Sequence, residues 1–106
     1  MSMKNFFHNI PNKLPEEFFE TILQNDNIKI ERIISDGHTS PLDFWYDQDQ
    51  NEFVILLKGS AVLEFKDGSM VEMSEGDYQI LPAHQKHRVS YTDTNGKTIW
   101  LAIFYS

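Results

Sequence analysis

The chain interrupts itself with tight-turn signals, and these limit it to folds built from short antiparallel strands. Lys66-Asp67-Gly68-Ser69 is a hairpin turn signal, and Gly59-Ser60, Glu75-Gly76 and Asn95-Gly96 are further breaks. Between and around them lie extended, β-rich runs: "IKIERIIS", "LDFWYDQ", "EFVILLKG", "AVLEFK", "SMVEM", "DYQIL", "HRVSYTD" and "KTIWLAIFY". "AVLEFK" alternates cleanly, with Ala61, Leu63 and Phe65 on one face. These runs predict about eight short strands, an all-β antiparallel sandwich or barrel of jelly-roll type.

The first 27 residues read differently. "LPEEFFETILQNDN" places Pro15 and two glutamates at a helix start, followed by Phe18, Phe19, Ile22 and Leu23 at helical spacing. The expectation is a short helix from about Pro15 to Gln24. The whole chain, 1–106, then forms one domain, with a helical segment over 1–27 and a barrel over 28–105.

Composition excludes several functions. The net charge is −7 and no Lys/Arg cluster occurs, so nucleic acid and anionic membranes are not expected partners. There is no cysteine, hence no disulfide, thiolate metal site or cysteine nucleophile. The longest apolar run, Phe53 to Leu57, is too short to span a bilayer. The N-terminus lacks a basic start followed by an apolar stretch, so the expected location is the cytoplasm. No serine sits in a nucleophile elbow, and no Gly-rich loop opens a helix to cradle phosphate.

In "FVILL" both parities are apolar: Phe53, Ile55 and Leu57 on one face, Val54 and Leu56 on the other. Both faces of this strand need cover. The N-terminal helix is one candidate cover and a second subunit the other; the helix carries few apolar residues, so a homodimer is expected.

The spacing of glycine, glutamate, proline and histidine resembles the cupin superfamily, in particular its small single-domain bacterial members. Cupins carry two motifs. The first reads G-x5-H-x-H-x(3,4)-E-x6-G, and Glu52-x6-Gly59 fits its second half. The second reads G-x5-P-x-G-x2-H-x3-N; Gly76-x5-Pro82 fits it, and His87 falls on the motif histidine. The resemblance covers roughly Ile28 to Tyr105. It implies a double-stranded β-helix barrel with a small-molecule ligand inside, often around one divalent ion held by the H-x-H pair, the Glu and the last His.

The departures are specific. Both histidines of the H-x-H pair are missing. A four-residue spacer puts Trp45 and Asp47 in their places, and a three-residue spacer puts Tyr46 and Gln48 there. His84 replaces the second motif's glycine, and Tyr91 its asparagine. Candidate metal ligands are therefore Glu52 and His87, with Asp47 or Gln48 beside them and His84 if it turns inward from the turn after Pro82. Imidazole and carboxylate suit Zn, Fe(II), Ni or Mn, whereas a neutral amide is a poor ligand for these ions. Tyr46, Trp45, Tyr91 and Trp100 are candidate pocket aromatics.

Three functions remain open. A divalent ion would make the chain a metal-dependent oxygenase or isomerase. Without an ion, Glu52 and His87 form a general acid/base pair, as in the sugar-nucleotide epimerase cupins. The alternative is a non-enzymatic ligand-binding or sensor domain.

Overall fold

In the computed structural model, which describes residues 3–106, the chain forms eight strands and no helix among those residues. They are β1 (Phe18–Gln24), β2 (Ile28–Ser35), β3 (Asn51–Lys58), β4 (Ala61–Phe65), β5 (Met70–Met73), β6 (Tyr78–Leu81), β7 (His87–Thr92) and β8 (Thr98–Tyr105). All ladders are antiparallel. A five-stranded sheet runs β1-β2-β8-β3-β6 and a three-stranded sheet β5-β4-β7. No helix among the described residues is long and apolar enough to cross a membrane.

The expected helix from Pro15 to Gln24 is absent, and Phe18–Gln24 is instead the edge strand β1. The apolar spacing misled because it is not a plain alternation. A bulge between Thr21 and Leu23 shifts the register against β2 and breaks the two-residue period. Phe18 pairs with Ile34 on one face and Phe19 with Ile33 on the other. A helix of this length gains little by itself, whereas the free edge of β2 offers a full ladder to aromatic and β-branched residues. "LDFWYDQ" is also not a strand. It turns at Pro41–Phe44 and touches β7 through a single bridge, Tyr46 with His87.

The turns after β4 and β3 follow their sequence signals. Gly68 N–H donates to the Phe65 carbonyl at 2.9 Å, with Gly68 at φ +92°. Gly59, at φ +94°, lets the chain leave β3 against Thr98.

Alternation sorts each strand of the large sheet into two faces. Val54, Leu56, Trp100, Ala102 and Leu81 face the second sheet, meeting Ala61, Leu63, Phe65 and Met73 in the buried core. The opposite face is also apolar and carries cross-strand rows. Ile30, Ile103, Phe53 and Ile80 form one row, and Leu101, Ile55 and Tyr78 lie in the next. Residues before β1 cross one end of this face. The buried Arg32 donates from its guanidinium to the carbonyls of Phe6 (3.1 Å) and His8 (2.7 Å), and Lys97 Nζ donates to the Asn12 carbonyl at 3.0 Å. Ile34 and Ile99, on this face near the tethers, are fully buried. Farther along, Tyr78 is 58% and Ile80 56% exposed.

Candidate functional site in the barrel cavity

The two sheets enclose a small cleft of about 70 Å³ that opens to solvent. Its walls are mostly apolar or aromatic, and its polar groups are few: Glu17, Glu31, Tyr46, Gln48, Glu52, His87 and Trp100.

Glu52 and His87 arrive from different sheets. Glu52 shares the core-facing parity of Val54 on β3, and His87 opens β7 opposite Phe65 on β4. Both are buried, with 6% and 5% exposure. Glu52 Oε1 stands 3.6 Å from His87 Nε2, an ion-pair contact slightly longer than a hydrogen bond. The other ring nitrogen, Nδ1, lies 2.9 Å from the Gln85 carbonyl. A carbonyl only accepts, so Nδ1 carries the proton. The neutral ring therefore presents an unprotonated Nε2 on the side of Glu52.

Tyr46 completes this group. Its backbone bridges His87, its ring stacks on the imidazole with centroids 5.5 Å apart, and Phe44 packs edge-on behind it at 4.9 Å. Burial, with the carboxylates of Glu17, Glu52 and Glu31 adding to it, holds the phenol above its usual value. Tyr46 is a hydrogen-bond donor at neutral pH.

The register left open in the sequence resolves to Tyr46 and Gln48, which line the cavity. Asp47 is exposed and pairs with His84 at 2.8 Å, Asp47 Oδ1 to Nδ1, while Asp49 lies 3.6 Å from the other imidazole nitrogen. His84 sits at φ +66°, in the left-handed conformation that the motif's glycine normally supplies, and its ring is at the surface. Glu52 and His87 are thus brought together, and Asp47 and His84 are paired outside the cavity. Of the proposed pocket aromatics, Tyr46 and Trp100 line the cavity. Trp45 lies under Lys66 Nζ at 4.9 Å, and Tyr91 is exposed.

Sequence reasoning missed Glu17 and Glu31. The parity of "IKIERIIS" was the available signal for Glu31, which shares a face with Ile33. Glu17 was hidden by the helical reading of its segment. Ser35 Oγ donates to Glu17 and also accepts from Trp100 Nε1 at 3.3 Å.

A family model described as "Cupin domain" matches residues 32–104. The chain belongs to the cupin family. No curated protein sequence matches it. Among solved structures, a "putative mannose-6-phosphate isomerase" of Ralstonia eutropha JMP134 is 40% identical with a TM-score of 0.94, the match covering 100% of this chain and 99% of that one. A cupin superfamily protein of Desulfitobacterium hafniense DCB-2 matches at TM-score 0.75 and 21% identity, over 91% of this chain and 83% of that one. An RmlC-like cupin of Desulfovibrio desulfuricans matches at 0.74 and 14%, over 98% and 96%. The two lower-identity likenesses speak for the fold alone.

Cupins commonly bind divalent metals, and the donor set of this cupin can be tested against that habit. Among the described residues, no group of three or more His, Cys, Asp or Glu side chains is placed to hold an ion. The inward positions of the H-x-H pair carry a phenol and an amide, leaving Glu52 and His87 as the two suitable donors of the motifs. The other cavity carboxylates are engaged elsewhere, Glu31 by Lys29 and Glu17 by Ser35. Catalytic zinc sites use three protein ligands, and a neutral amide is a weak substitute. The residues present do not fit a resident divalent ion.

Two cavity groups give the cupin a pH signature. Burial pulls the His87 imidazole down from its ordinary 6.5, but contact with Glu52 and the Gln85 carbonyl outweighs it and the net shift is upward. Burial pushes the Glu17 carboxyl above its ordinary 4.5, opposed in part by Ser35 and His38. Both groups hold a proton more tightly when folded. Their stabilising contributions are complete below pH 4.5 for Glu17 and 6.5 for His87, and are lost as pH rises through the folded values. Relative to wild type, Glu17→Gln is expected to gain melting temperature as pH climbs from 5 to 8. Calorimetry across that range checks it; a difference independent of pH would show that Glu17 titrates as it does in the unfolded chain.

Proposed function

We propose that this cupin binds a small carbonyl compound in the barrel and catalyses a metal-independent proton transfer on it, an isomerase-type reaction. The observation that carries the reading is the His87 ring. Its Nδ1–H is fixed on the Gln85 carbonyl, which leaves a buried basic Nε2 beside Glu52 in an aromatic-walled cavity. In the reaction, Nε2 takes a proton from the carbon next to the substrate carbonyl. The substrate carries a hydroxyl on that carbon. Glu52 stabilises the imidazolium formed while Tyr46 O–H gives its proton to the carbonyl oxygen, making an enediol. The enediol's other hydroxyl then returns a proton to the Tyr46 phenolate as His87 delivers its proton to the former carbonyl carbon. The carbonyl has thereby moved by one carbon and both residues are restored. The naming of the Ralstonia relative as an isomerase supports the reaction class.

The test is solvent exchange. Aldoses and ketoses, free and phosphorylated, are incubated with the protein in D₂O and read by NMR for deuterium next to the carbonyl. Exchange by wild type, a loss of about 10²-fold or more in His87→Gln, and a loss of about 10-fold or more in Tyr46→Phe support the proposal. Chelation is expected to leave the rate unchanged, and elemental analysis of untagged protein to find metal well below one per chain. Activity restored only by added Zn, Fe, Ni or Mn would sink the metal-independent mechanism. Ligand binding without exchange would favour the non-enzymatic binding or sensor reading.

We further propose that a second copy covers the outer face of the large sheet. The rival cover, an N-terminal helix, is absent among the described residues, and β1 extends the sheet rather than lying over it.

A further inference from the structure

The cavity holds a charge imbalance that proton transfer leaves unused. Glu17, Glu31 and Glu52 line it, and His87 is the one basic side chain among the lining residues. Each carboxylate has different company. Glu31 is held at 3.0 Å by Lys29 Nζ, which shares its face of β2 and stands over the Phe104 ring at the edge of the cavity. Glu52, only 6% exposed, faces His87 Nε2 at 3.6 Å, short of a full hydrogen bond. Glu17 receives a neutral hydroxyl, Ser35 Oγ. Its raised pKa, led by burial, marks a carboxylate taken from water, which Ser35 and His38 offset only in part. Such a group is stabilised by a positive charge that arrives with a ligand.

The walls agree with the charges. Phe19, Tyr46, Trp100 and Phe104 line the same space. Aromatic faces attract organic cations through the ring quadrupole, and carboxylates beside aromatic walls suit an alkylammonium group better than a hydrated metal ion. An anion meets the opposite situation. A phosphate in this cavity would face three carboxylates with no Lys or Arg in the wall, and the nearest ammonium, Lys29, is engaged by Glu31.

We infer that the cavity selects a small ligand bearing an organic ammonium group, with Glu17 as its counter-ion and the aromatic walls around its carbon skeleton. This rests on the cavity being the ligand site of the proposed reaction, and it names the charge of the ligand. It also separates this cupin from a phosphosugar substrate, the one that the Ralstonia relative's name would suggest.

The indole N–H of Trp100, hydrogen-bonded to Ser35 next to Glu17, is the reporter. Its amide-region NMR signal is separated from that of Trp45 with a Trp45→Phe variant. Four probes are titrated: choline, butylammonium, mannose and mannose 6-phosphate. The expected result is saturable movement of the Trp100 signal with the two ammonium probes, and binding of mannose 6-phosphate at least ~10-fold weaker. Glu17→Gln should weaken the ammonium probes by ~10-fold or more. Glu72→Gln, a charge loss at an exposed position of β5, should not. The dispersion of the full spectrum shows whether each variant is folded. Tighter binding of mannose 6-phosphate than of either ammonium probe overturns the inference, as does unchanged ammonium affinity in Glu17→Gln. Mannose or its phosphate binding while both ammonium probes fail also overturns it and leaves the cavity as a ligand site. Failure of all four probes overturns the inference and the cavity reading together.

Discussion

Gly59→Ala is expected to cost about 2–6 kcal/mol, a large share of the ~5–15 kcal/mol that holds a domain of this kind. Two penalties combine at this position. The backbone sits at φ +94°, where an L side chain is strained by about 1–3 kcal/mol. In addition, a Cβ there would lie 2.5 Å from Thr98 Oγ1 and 2.9 Å from Thr98 Cα. The hydroxyl has little room to turn aside, since Thr98 is fully buried, and the Cα is main chain of β8, so β3 and β8 must part. Overpacking of this kind adds about 1–3 kcal/mol. Gly68→Ala is the control. Gly68 has a similar φ of +92° and nothing within 4 Å of the added carbon, so it reports the backbone term alone. Denaturant titration of both variants separates the terms. Equal losses would show that the Thr98 contact relaxes at no cost.

Ile103→Lys is expected to turn a dimer into a monomer. Ile103 sits on the central strand β8 between Ile30 and Phe53, and Ile80 continues the row on β6. These side chains are partly or largely exposed on one chain, and a two-fold mate would bury the same row on both copies at once. Full burial of such residues is worth about 1.5–3 kcal/mol each. A lysine at the centre of the contact places an unpaired ammonium there twice, which should cost on the order of 3 kcal/mol or a hundredfold in dissociation constant. Light scattering of wild type should give twice the chain mass of 12.4 kDa, and the variant should give that mass with its fold intact. A wild type that stays at 12.4 kDa as concentration rises would remove the second copy.

The sequence was most informative where turns and motif spacing act locally. The Asp67-Gly68 hairpin needs only its own residues, and Glu52, His87 and Gly59 were placed by spacing within one motif each. The double parity of Phe53 to Leu57 likewise appeared as one core face and one outer face. Legibility failed where distant partners decide. Phe18 to Gln24 carries a helical stripe in isolation, and only the open edge of β2, with a bulge to correct the register, makes it a strand. Once that segment was misread, Glu17 could not be seen as part of the cavity. The choice between Tyr46/Gln48 and Trp45/Asp47 depended on the Tyr46–His87 bridge, which joins residues far apart in the chain. His84 was ambiguous for a different reason. Its left-handed backbone sends an otherwise plausible ligand outward to Asp47.

The position of β8 also governs how this chain must fold. The last strand lies in the middle of the large sheet, between β2 and β3, so the sheet's two halves have no ladder joining them until β8 has been made. Each contact it forms closes a long loop, and such topologies fold slowly, in milliseconds to seconds rather than microseconds. During synthesis β1 and β2 are a lone hairpin, marginal by itself, with the apolar outer face of β2 uncovered. The nascent chain therefore waits, exposed to aggregation, until residues 98–105 clear the ribosome and close the sheet.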